Sequence, residues 1–120
     1  MAQHNILGAE GEKRAAEYLL GKSYAILEKN WRFKKIELDI IAKLGELLVI
    51  VEVKTRERWQ AEEAEKAVTR AKQRRMVTAA HAFMTERELS NEVRFDIIVV
   101  SGQPDFFEFR HIEGAFYPLA

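Results

Sequence analysis

The segment Glu37-Leu38-Asp39-Ile40-Ile41-Ala42, a short turn around Lys43, Leu44 and Gly45, and then Leu47-Leu48-Val49-Ile50-Val51-Glu52-Val53-Lys54 decides how this chain folds. Leu47 to Val51 is apolar at every position, as in a central strand covered on both faces. Ile36 to Ala42 and Leu47 to Lys54 read as neighbouring strands, and Tyr24 to Arg32 as another before them, giving a meander. Three charged placements stand out. Asp39 sits between Leu38 and Ile40, and Glu52 and Lys54 project from one face of a strand whose earlier residues are apolar. A buried carboxylate is costly unless it is paired, protonated or bound to a metal, so these charges need compensation.

Outward from this segment, Gly8, Gly11, Glu12, Ala15, Ala16 and Leu19 recur at helical spacing and predict a first helix from about Gly8 to Leu20, with Gly21 in the left-handed cap position. Its inward stripe of small residues suits close packing on a sheet. Glu12, four residues from both Gly8 and Ala16, lies on that same stripe. A long helix is predicted from about Ala61 to Met84, with Ala64, Val68, Ala71, Met76, Ala80 and Phe83 facing inward. Lys72 falls on the covered face, and Arg70, Arg74 and Arg75 flank it towards solvent. Arg94 to Val100 predicts a strand, Ser101 to Asp105 a turn and Phe106 to Ile112 a last strand. The order α-β-β-β-α-β-β describes a mixed sheet flanked by helices, in the α/β or α+β classes.

The 120 residues, 48% hydrophobic and without an internal linker or repeat, fit one domain over residues 1–120. The absence of cysteine excludes zinc fingers and thiol chemistry. Nineteen basic and nineteen acidic residues cancel, so any attraction to nucleic acid must be local. The longest apolar run is far short of the roughly 20 residues that span a bilayer. The first residues lack the basic start and apolar core of a secretory signal, so the expected compartment is the cytoplasm and no membrane partner is expected.

Asp39 and Glu52 lie thirteen positions apart, and Lys54 follows two residues later. This is the Asp…(Asp/Glu)-x-Lys spacing of metal-dependent nucleases. Antiparallel strands joined by a tight turn bring their distal ends together, so the two carboxylates can share a hard cation. Mg²⁺ (or Mn²⁺) takes one or two protein carboxylates, keeps several waters and accepts a phosphate oxygen, which makes water acidic enough to attack a phosphodiester. Lys54 would orient that water or stabilise the charged transition state. Glu37, on the face of Asp39, reads as a further ligand or a supporting partner, and Glu12 as an auxiliary ligand. On spacing alone the plainer reading is favoured, with Glu52 and Lys54 as a strand-end ion pair and Asp39 accepting backbone hydrogen bonds at a bulge.

Lys54, Arg56, Arg58, Arg70, Lys72, Arg74 and Arg75 follow the same strand and suit a phosphate backbone, or equally a solvated helix face among Glu57, Glu62, Glu63 and Glu65. Trp31 and Trp59 read as core aromatics before stacking platforms. His4, His81 and His111 share no ligand spacing, and Asp96 reads as a hydrogen-bonded structural residue.

Gly8-Ala9-Glu10-Gly11-Glu12, Tyr24-Ala25-Ile26-Leu27, Asn30-Trp31-Arg32, Glu37-Leu38-Asp39-Ile40-Ile41-Ala42, Val51-Glu52-Val53-Lys54-Thr55-Arg56, Lys72-Gln73-Arg74-Arg75 and Arg94-Phe95-Asp96 together resemble the YraN family of small bacterial proteins. The resemblance covers nearly the whole chain. It implies the restriction-endonuclease-like fold shared with archaeal Holliday-junction resolvases, and a nuclease site at Glu12, Asp39, Glu52 and Lys54. It reverses the balance set by spacing. Two departures, Ile36 where the family usually has Gly and Trp59-Gln60-Ala61 in place of a Phe-Gly turn, leave those four residues intact. The expected activity is Mg²⁺-dependent endonuclease chemistry on DNA, branched or single-stranded. The alternative is a non-catalytic adaptor for nucleic acid or protein on the same scaffold. A homodimer with two sites on a two-fold axis would suit the cutting of two strands.

Overall fold

A computed structural model describes residues 2–56, 68–103 and 106–118. Helix α1 (Ala2–Gly21) leads into strands β1 (Ala25–Phe33), β2 (Ile36–Leu44) and β3 (Leu47–Arg56); helix α2 (Arg70–Glu86) precedes β4 (Val93–Gln103) and β5 (Phe106–Phe116). The described strands form a five-stranded sheet in the order β1-β2-β3-β4-β5. Only β3 and β4 pair in parallel, which is why a crossover carrying α2 separates them. The result is the mixed α/β fold, with the predicted α-β-β-β-α-β-β order and one helix on each face of the sheet.

Alternation along β3 builds both cores. Leu48 and Ile50 face α2, where they meet Met76, Ala79, Ala80 and Phe83, while Val49, Val51 and Val53 face α1 with Ala15, Ala16 and Leu19. Burying a side chain the size of Phe83, Leu19 or Ile50 stabilises the fold by roughly 1.5–3 kcal/mol. The small-residue stripe on α1 has the expected consequence at Gly11, where a Cβ would overlap the Thr55 hydroxyl of β3. Glycine thus lets α1 lie against the end of β3. Trp31 packs edge-on against Phe83, ring centroids 5.3 Å apart, in agreement with the core reading.

Several boundaries differ from expectation. α1 begins at Ala2, and its left-handed cap residue is Ser23 at φ +72°, not Gly21. The Tyr24 N–H donates to the Leu19 carbonyl at 3.0 Å and the Ser23 N–H to the Leu20 carbonyl at 3.1 Å, satisfying the last carbonyls of the helix. α2 starts at Arg70, where the Thr69 hydroxyl accepts the Lys72 N–H at 3.1 Å and caps it, and residues 61–67 of the predicted helix lie outside the described residues. Ala71 is exposed and Ala79 buried in the α2 stripe, while Ala64 lies outside the described residues. Ser101 to Gln103 extend β4 instead of turning, since Gln103 pairs with Phe106. No described helix is long and apolar enough to cross a membrane.

β4 carries a fully buried charge, Asp96, beside an irregularity in the β4–β5 register. Its carboxylate accepts two hydrogen bonds from Arg94 at 2.8 Å, one from the Gly114 N–H at 3.0 Å, and lies 2.6 Å from His111 Nε2. Arg94 reaches on to the Tyr24 hydroxyl at 2.7 Å. Burial works against the charged form, but His111, Arg94 and the Gly114 N–H outweigh it and hold the Asp96 carboxyl below its ordinary range. Asp96 is the structural residue that the sequence suggested.

Two stability predictions follow from these contacts. Gly11→Ala should destabilise by about 1–3 kcal/mol in thermal or urea denaturation, and adding Thr55→Ala should recover most of the loss. Asp96→Ala should cost about 3–5 kcal/mol by the same measurement, since it strands the Arg94 cation; a loss below 1 kcal/mol would show that the network holds nothing in place.

Candidate functional site

The β2–β3 ladder runs from Leu44 opposite Leu47 to Ile40 opposite Val51 and ends there. Just beyond, the Val53 N–H donates to Asp39 Oδ2 at 2.8 Å, so a side chain takes the donor that another strand would otherwise satisfy. β2 turns over at this point, since Leu38 packs in the α2-side core and Ile40 in the α1-side core. Asn30, across β1 between the Lys29–Ile40 and Trp31–Leu38 pairs, bends with it at φ +52°. Asparagine tolerates that left-handed conformation better than a branched residue would.

Here Asp39 stands beside Glu52. Glu52 is 3% exposed, and its Oε2 lies 3.0 Å from Lys54 Nζ and 3.4 Å from Lys72 Nζ. The Asp39 and Glu52 side chains are in hydrogen-bonding contact, and the Asp39 carboxyl is pushed up to about 8. Burial is the main cause, and the charge of Glu52, its hydrogen bond and the charge of Glu12 add to it; the Val53 N–H pulls the other way. Two lysines thus compensate Glu52, while Asp39 holds on to a proton.

Glu12, carried in by α1, is also raised, first by burial and then by the charges of Glu37 and Glu52, with Lys29 opposing. It shares the field of the other carboxylates without joining them in a ligand set: among the described residues, no three acidic or imidazole groups are gathered to hold a metal ion. Glu37 is turned to its cross-strand neighbour, with Arg32 Nη2 at 2.9 Å. Arg56 donates to the Thr55 carbonyl at 3.0 Å. Arg70, Arg74 and Arg75 are exposed on α2, and Arg58 and Trp59 lie outside the described residues.

Charge patterning left Lys72 open between a phosphate backbone and a solvated helix face, and the structure sets its ammonium against Glu52. The signal for this was available in the covered-face position of Lys72 on a helix that crosses over β3. A donor set of two adjacent carboxylates, one keeping its proton chiefly because it is buried, suits Mg²⁺ or Mn²⁺, which need only one or two such ligands.

The profile of the uncharacterised protein family UPF0102 matches residues 11–100, which include every one of these positions. The chain belongs to the UPF0102 family. This is the YraN family that its motifs resemble. It is 44% identical over 118 residues to a UPF0102 protein of Phocaeicola vulgatus and 47% identical over 118 residues to one of Bacteroides thetaiotaomicron, with 98% of each chain covered. A UPF0102 protein of Flavobacterium psychrophilum is 44% identical over 117 residues, again with 98% of both chains covered.

The raised Asp39 carboxyl sets a pH dependence for this UPF0102 protein. In the unfolded chain the group loses its proton near pH 4, whereas the folded site keeps it until about 8. Its contribution is therefore fully present below pH 4 and is lost as pH rises towards 8. Asp39→Asn, which keeps an acceptor for Val53, should raise stability in EDTA on the order of 1–3 kcal/mol at pH 8 and by less at pH 5. Equal gains at both pH values in urea denaturation would contradict the charge repulsion inferred at the site.

Proposed function

We propose that this UPF0102 protein is a Mg²⁺- or Mn²⁺-dependent nuclease acting on DNA phosphodiesters. The observation that carries the reading is the meeting of Asp39 and Glu52 where β2 leaves β3, with Lys54 and Lys72 both on Glu52. Asp39 and Glu52 would hold the cation, and Glu12 would support it from α1. The ion supplies Lewis-acid chemistry, neutralising charge on a phosphate and raising the acidity of water.

The remaining work falls to the chain. The Val53 N–H fixes the Asp39 carboxylate, so its free oxygen is aimed before any ligand arrives. Lys54, two residues from Glu52 and on the same face of β3, is placed to hydrogen-bond a water or a non-bridging phosphate oxygen. Lys72, half-exposed, can exchange Glu52 for a phosphate without leaving its helix. Arg74 and Arg75 extend the positive surface along α2, and each phosphate contact adds salt-sensitive affinity without reading sequence.

The two lysines on Glu52 also favour a second reading, a DNA-binding adaptor in which ammonium groups do the work of the cation. Calorimetry separates the two. The nuclease reading expects saturable Mn²⁺ binding that Asp39→Asn and Glu52→Gln abolish, and the adaptor reading expects none. Labelled branched, single-stranded and duplex DNA incubated with Mg²⁺ or Mn²⁺ should be cut, with at least a ~100-fold loss in either variant. Cleavage that survives both substitutions would place catalysis elsewhere.

A further inference from the structure

One face of α2 and the end of β5 enclose a groove of about 380 Å³, lined by Arg70, Gln73, Arg74, Val77, Phe116 and Tyr117 among others. That volume falls in the range of small-ligand sites, roughly 300–1,000 Å³. Its floor is apolar and fixed, since Phe116 is buried and stacks on Phe95 with centroids 5.0 Å apart. Its rim is cationic. Among the described residues neither Arg70 nor Arg74 has a carboxylate partner, unlike Lys54, Lys72, Arg87 and Arg94. Tyr117 is 74% exposed, the highest among the large hydrophobic side chains of the described residues. Its hydroxyl lies 3.0 Å from where a Cβ on Gly114 would stand, and Gly114 at φ +59° leaves room for the ring.

An exposed ring, an apolar floor and two unpaired guanidinium groups match the two chemical parts of a nucleotide. A flat base needs an aromatic surface, and the phosphates on either side of it need cations. A base inside a duplex is stacked on its neighbours and cannot offer its face to Tyr117. An apolar peptide would bring no charge to answer Arg70 and Arg74.

We infer that the groove between α2 and β5 receives an unpaired base of a DNA strand, with Tyr117 stacking on the base and Arg70 and Arg74 holding its flanking phosphates. Gln73 lines the groove and is the sequence neighbour of Lys72, which reaches Glu52, so the same helix carries a residue to each place. This rests on the reading of the protein as DNA-acting and names the class of DNA, namely one with single-stranded character.

Binding measured in EDTA separates this from the catalytic reading. Fluorescence anisotropy of the full chain with a labelled single-stranded oligonucleotide should give a Kd roughly tenfold weaker when the bases are replaced by abasic residues, the scale of base–aromatic stacking. Tyr117→Ala should weaken binding of the intact strand by about the same factor and erase the difference from the abasic strand, and Tyr117→Trp should restore it. Duplex DNA should bind Tyr117→Ala and the wild type alike. The inference is overturned if Tyr117→Ala keeps the full intact-to-abasic ratio, if no DNA binds, or if Tyr117→Ala instead dissolves a concentration-dependent dimer in sedimentation. Base-dependent binding without metal-dependent cleavage would uphold the groove and refute the nuclease, and cleavage with base-independent binding would do the reverse.

Discussion

A single hydrogen bond, from the Val53 N–H to the Asp39 carboxylate, sets the shape of the candidate site. Were β2 to continue its ladder past Ile40, a backbone carbonyl would take that donor, and the Asp39 carboxylate would lose the bond that fixes it. By accepting the donor itself, the side chain ends the pairing without leaving a buried N–H unsatisfied. The strands separate at the level where the side chains of α1 and α2 arrive from opposite faces. Glu12 from α1 and Lys72 from α2 therefore both act on Glu52.

Asp96 makes an instructive contrast. It too is a buried strand carboxylate that accepts a backbone N–H at an irregularity, from Gly114. Its other neighbours are Arg94 and His111, and its carboxyl is held low. The other neighbours of Asp39 are Glu52 and Glu12, and its carboxyl is held high. Burial resists ionisation in both; the side chains supplied by other elements add to it at Asp39 and overturn it at Asp96. One group is a saturated fastening; the other sits among like charges.

This contrast explains what could be read in advance. Asp39 and Asp96 have nearly the same local sequence, an apolar residue on either side in a strand-like run, and nothing within a few residues tells them apart. The doubly apolar run from Leu47 to Val51 and the small-residue stripe of α1 were legible because they depend on local periodicity and on volume. The partners of Asp96 were not, because His111 and Gly114 lie fifteen and eighteen residues away on the next strand. The cap at Thr69 was hidden by the helical pattern that continues on both sides of it. The helical spacing did put Lys72 on the covered face, but only the crossover geometry shows that this face ends over Glu52.

The parallel pairing of β3 with β4 has a kinetic side. β1, β2 and β3 join through short connections, so their pairing closes small loops, whereas Leu48 meets Val93 only after forty-five residues have been folded back. Closing the longer loop costs more chain entropy and comes later along a folding path. Lys72 arrives at Glu52 with that closure, so the early meander carries its cluster of negative charge with one ammonium fewer. Docking of the crossover both completes the sheet and relieves the repulsion, and the site therefore matures at the end of folding, together with the last long-range contacts.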